Sequence, residues 1–190
     1  MPIVLDISRE FVQRWCDEYD NRFRGGWAAA GEMAIRQWLS GLPEPKYLNK
    51  QYFVRLGHWK SQRQMKNYEK NDEVSVKEAT KSAYEASDEL LKLHILKGLK
   101  GVGVAVAAAI LHYLHPDQFP IFDYHARTTL KKAGMWNRDV DDASDNAWQE
   151  YVATMRELSG RLGVSLRELD KALFAYDKWG TTGDPSLRSG

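Results

Sequence analysis

Cysteine is nearly missing from this chain: Cys16 is the one thiol in 190 residues. A lone thiol closes no internal disulfide and cannot build a cysteine-rich zinc or iron–sulfur centre, so neither staple holds the fold. Cys16 is expected instead as a small apolar residue on the buried face of a helix. Long apolar runs are missing too. No stretch approaches the roughly 20 apolar residues of a membrane-crossing helix, and the opening MPIVLDISREF reaches charge too early for a secretory signal. Alternating strand patterns and repeats of solenoid period are absent, and net charge is scarce, at +1. These absences point to a helical protein of the reducing cytoplasm with no membrane partner.

What is present belongs to a folded chain. With 43% hydrophobic residues, seven Trp and nine Tyr, it can bury one core or two small ones. Apolar residues recurring at helical spacing, as in Phe11, Trp15 and Tyr19, predict helices over 7–19, 27–39, 49–58, 75–86, 87–96, 104–114, 124–133, 146–162 and 165–179. The expected fold class is therefore all-α. Ser61, Ser75 and Ser87 are the expected starts of their helices, and Gly134, Gly163 and Gly180 the expected stops. Residues 181–190 lack apolar spacing and are expected to form a flexible tail.

The small net charge hides a separation. Residues 45–70 hold seven basic side chains against Glu69 alone, whereas 138–150 hold five acids against Arg138. A basic flank on a neutral chain suits contact with a polyanion on one side. Within that flank Trp59, Lys60, Ser61 and Arg63 are the expected DNA contacts, with Gln62 or Met65 as a wedge entering the duplex. The plainer alternative is a solvated helix face with a half-buried Trp.

The most informative stretch is LKGLKGVGVAVAAAILHYLHPDQFPIFDYHARTTL, residues 96–130. Its glycines predict a tight turn between two helices, leaving the amides of Gly101, Gly103 and Val104 open at a helix start where a phosphate can sit. Lys97 and Lys100 add positive charge there. The Lys-Gly-Val-Gly pattern, the small residues after it and the later Asp123-Tyr124-His125 resemble the helix-hairpin-helix DNA glycosylase superfamily, endonuclease III-like enzymes included.

The resemblance is close over 88–130. It implies a two-lobed helical fold: a terminal lobe of 1–44 plus 136–180, and a central lobe of 45–135 carrying the hairpin within 88–114. It implies that Asp123, twenty positions after Gly103, is the catalytic carboxylate facing the sugar of a flipped-out nucleotide. The plainer role of Asp123 is a helix cap, which is compatible with catalysis. Where relatives with lyase activity carry a lysine two residues after the last hairpin glycine, this chain has Ala105, so the implied enzyme is monofunctional and leaves an abasic site.

Breaking a base–deoxyribose bond builds oxocarbenium-like charge on the sugar, which a fixed carboxylate stabilises. The base must first leave the stack for a pocket. Phe119, Phe122, Tyr124, His125 and Tyr52 are the candidate walls, each with core packing as its plainer role. The expected ligand is double-stranded DNA with a modified base, bound by a monomer, in repair or in removal of modified bases from foreign DNA. No cofactor and no metal are called for, although a structural monovalent cation at the hairpin fits. Two rivals stand beside this reading: a non-catalytic helix-hairpin-helix DNA-binding protein, and a metal-dependent nuclease built on His112, His115 and Asp117.

Overall fold

The computed structural model describes residues 5–180, without the side chains of residues 27–29; the expected tail at 181–190 lies outside the described residues. The helices are α1 (Arg9–Phe23), α2 (Trp27–Ser40), α3 (Lys50–Lys60), α4 (Met65–Tyr68), α5 (Glu73–Glu85), α6 (Glu89–Lys97), α7 (Val104–Leu114), α8 (Tyr124–Lys132), α9 (Asp145–Leu162) and α10 (Leu166–Ala175). A 3₁₀ turn, Gln62–Gln64, precedes α4, and a π-helical turn, Tyr176–Gly180, continues α10. Among the described residues there is no strand, and no helix is long and apolar enough to cross a membrane. The all-α expectation holds.

Helix starts follow side-chain chemistry. Ser8, Asn49, Ser144 and Ser165 each accept a backbone N–H at the head of α1, α3, α9 and α10. Two expected starts move. α5 and α6 are capped by Asp72 and Asp88, not by Ser75 and Ser87, because a carboxylate three residues before Ser75 and one residue after Ser87 reaches the first free amides. Ser61 stands before the 3₁₀ turn but makes no side-chain capping bond.

The chain divides into two compact units. The central unit is Gly25–Ile121. Its middle is α7, buried on every residue except Ala105, with Ala107, Ala108 and Ala109 at 0% exposure. Their small side chains let α2, α3, α5 and α6 pack against one helix. Lys92 of α6 is buried and donates to the carbonyls of Ala83 and Tyr84 at 3.0 and 2.8 Å, satisfying the last turn of α5.

The other unit is made from both ends of the chain, through Arg24 and from Phe122 onward. The division falls at 24/25 and 121/122, where the sequence placed boundaries at 44/45 and 135/136. In this unit α1 packs along α10, which also meets α8 and α9. Cys16 is buried on α1, and burial pushes its thiol up to about 11. Trp136, Trp148 and Tyr151 fill the core at 0–1% exposure; burying side chains of this size contributes roughly 1.5–3 kcal/mol each.

Candidate active site and nucleic-acid interface

Asp123 is the N-cap of α8. Its backbone is extended and its Oδ1 accepts the His125 N–H at 2.9 Å, so one carboxyl oxygen is fixed by the helix it starts. The residue is half-buried. One turn along α8, the buried Arg127 donates through Nε to the Asp123 carbonyl oxygen at 3.3 Å and through Nη1 to that of Asp142 at 2.5 Å. Its guanidinium lies 4.0 Å over the Phe122 ring. Burial holds Arg127 below its ordinary pKa, against the pull of Tyr151 and the neighbouring acids. Burial, then Asp170 and Asp123, pushes the Tyr151 hydroxyl well above the usual range, so it remains a phenol. Arg127 thus ties down the Asp123 backbone, and a neutral Tyr151 lies close enough to feel the Asp123 charge.

The His125 side chain turns to the end of the chain. Its Nδ1 donates to Asp177 Oδ2 at 2.8 Å, and Lys132 donates to the other oxygen of Asp177 at 2.6 Å. Since a carboxylate only accepts, Nδ1 carries the proton. Beside this pair lies a half-exposed aromatic group: Phe174 is edge-on to His125 at 5.0 Å and to Trp179 at 5.9 Å, and Phe23 is 5.9 Å from Trp179. Arg22 covers the Trp179 ring at 4.6 Å.

The expected pocket walls separate. Tyr124 is 45% exposed and His125 half-buried, both next to Asp123. Phe119 and Phe122 are 0% and 1% exposed, packed as their plainer core role has it. Tyr52 belongs to the central unit, where it leans on Trp38 at 5.4 Å. Sequence reasoning missed Arg127, Phe174, Asp177 and Trp179. Only a 49- to 54-residue return of the chain brings the last three beside α8, and no local pattern announces that.

In the central unit α6 and α7 are joined by a six-residue turn, Gly98 to Gly103. Two glycines do different work there. Gly101 has φ +85°, a left-handed conformation, and a Cβ on it would lie 3.0–3.1 Å from Asn67 and the Tyr68 ring. Gly103 is extended, and nothing lies within 4 Å of where a Cβ would stand, so it leaves open space before the first amides of α7. Val104 is buried in that turn. Lys100 is exposed and Lys97 partly so.

Upstream, Trp59 and Lys60 close α3 half-buried, Trp59 edge-on to Tyr113 at 6.4 Å. Ser61 accepts the Tyr68 hydroxyl on its carbonyl at 3.0 Å. Arg63, Met65, Lys66 and Lys70 line a shallow concavity of about 490 Å³. The histidines proposed for a nuclease are placed otherwise. His112 is fully buried with Nδ1 2.8 Å from the Phe119 carbonyl, and His115 stacks on Tyr84 at 4.4 Å. Among the described residues no group of three His, Cys, Asp or Glu could hold a metal ion.

Over 87 residues the chain is similar, at 29% identity, to an 8-oxoguanine DNA glycosylase/AP lyase of Korarchaeum cryptofilum. The matched segment covers 46% of this chain and 42% of that protein, so the chain spans less than half the length of this relative. No family model and no solved structure matches the chain.

Proposed function

We propose that this protein is a DNA glycosylase that hydrolyses the N-glycosidic bond of a flipped-out modified base and leaves an abasic site. One observation carries the reading: a glycine hairpin realised between α6 and α7 is followed, twenty positions after Gly103, by an aspartate at the head of α8. The similarity to a protein named as an 8-oxoguanine DNA glycosylase supports it.

In this reading the open amides at Gly101, Gly103 and Val104, with Lys97, Lys100 and the basic segment around Trp59, Lys60, Ser61 and Arg63, hold backbone phosphates of duplex DNA. The flipped base enters beside Tyr124 and His125, with Phe174 and Trp179 as the aromatic surfaces available to it. As the base departs with the bonding electrons, positive charge grows on the sugar and the Asp123 carboxylate stabilises it. Asp123 then takes a proton from the water that attacks the same carbon, and that proton passes on to the departed base anion, so the base is released neutral and Asp123 returns to its carboxylate. Ala105 offers no amine for a Schiff base, so the reaction stops at hydrolysis. Nothing in this chemistry requires a cofactor.

The test uses duplexes carrying 8-oxoguanine and other oxidised, alkylated or mismatched bases. Strand breaks are expected at one class of base after hot alkali and not before it. Asp123→Asn should abolish them without weakening DNA binding, since Asn also caps a helix well. Binding without breaks on every duplex favours a non-catalytic DNA-binding protein. Breaks formed without alkali and stopped by chelator indicate a nuclease.

A further inference from the structure

Asn71 follows α4, is 5% exposed, and divides its side chain between two pieces of backbone. Oδ1 accepts the Lys100 N–H at 2.8 Å and Nδ2 donates to the Lys100 carbonyl at 3.0 Å, a two-point pairing with the middle of the hairpin turn. The same Nδ2 donates to the carbonyls of Asn67 and Tyr68, at 3.2 and 3.0 Å, at the end of α4. Below it the buried Tyr68 ring lies between two glycines. A Cβ at Gly57 would come within 2.8 Å of that ring, and one at Gly101 within 3.1 Å. No other side chain fits between the ring and either backbone.

We infer that Asn71 is a positioning residue: it fixes the basic concavity of residues 62–70 to the hairpin turn, so that both meet a DNA backbone as one preformed surface. The inference rests on the reading of this chain as a DNA-acting protein. Two loosely joined grips lose ordering free energy on each binding event, whereas a preassembled pair does not. Each phosphate neutralised adds about 0.9 to the slope of log affinity against log salt, so the slope counts how many contacts form together.

The experiment measures that slope on a fluorescent duplex. Asn71→Ala is expected to lower it by about two, the order expected for Arg63 and Lys66 leaving their phosphates. The value should match that of Arg63→Ala/Lys66→Ala, and adding Asn71→Ala to that double variant should change nothing more. Asn71→Asp keeps the size but turns the donated bonds into repulsions, and is expected to act alike. An unchanged slope in either folded variant overturns the inference and leaves the glycosylase reading intact. Wild-type protein that binds no DNA overturns both. Should neither variant fold, hydrogen exchange of the wild type decides. Duplex must slow the amides of 62–70 and of Lys100 in the same titration step, and separate steps overturn the inference.

Discussion

His125 and Asp177 are 52 positions apart in the chain, yet Nδ1 of the one lies 2.8 Å from Oδ2 of the other. Because the His125 backbone N–H is also what Asp123 accepts, the π-helical turn after α10 holds the first turn of α8 from outside. Asp177→Asn keeps the volume and removes the charge that Lys132 and His125 share. Excision is expected to fall about 10- to 100-fold, the range produced by small misplacements of a reacting group. Single-turnover rates beside DNA affinity check this, and affinity should hold.

The two hairpin glycines should respond differently to alanine. Gly101→Ala forces a left-handed side chain against Asn67 and Tyr68 and is expected to cost about 1–3 kcal/mol in urea unfolding. Gly103→Ala meets open space and should stay within roughly 0.5 kcal/mol of wild type. If the hairpin holds a phosphate as proposed, the added methyl group stands in its way, and DNA affinity, measured beside the urea midpoint, is expected to fall while stability holds.

Phe122→Ala and Phe174→Ala separate core from site. Phe122 is 1% exposed beneath Arg127, so its truncation is expected to cost about 3–5 kcal/mol. Phe174 is half-exposed beside His125; its truncation should cost less and should lower excision of the modified base. Thermal unfolding and excision rates, measured on both variants, give the comparison.

His115 sets a pH dependence of stability. Burial and then the nearby Lys92 ammonium, 3.3 Å away, hold its imidazole below the ordinary value, against the Tyr84 carbonyl and Glu44. The unfolded chain therefore takes up a proton at a pH where the folded chain does not. Stability is full above about pH 6.5 and declines as pH falls through the window below it. His115→Gln should flatten this part of the melting temperature against pH; an equal slope in the variant refutes the assignment.

Helices were legible because their signals are local. The Phe11, Trp15 and Tyr19 stripe, the Ala-rich run of α7 and the stop at Gly163, φ +63°, sit within a few residues of the structure they specify. The caps of α5 and α6 were misplaced since serine and aspartate compete within three positions and both satisfy an amide. The cap of α8 was legible at Asp123, which stands directly before the helical run. Phe119 and Phe122 were not, because an aromatic residue beside an acid reads the same whether it faces a ligand or the core. Asn71, Phe174 and Asp177 depend on partners 29 to 52 residues away, which no local pattern encodes.

The terminal unit takes its first helix from the start of the chain and its last from the end, with the whole central unit between them. During synthesis Gly25–Ile121 can therefore fold while α1 still waits for α10. The hairpin surface exists before the carboxylate is braced, and a ribosome must pass Asp177 before α8 is held at its head.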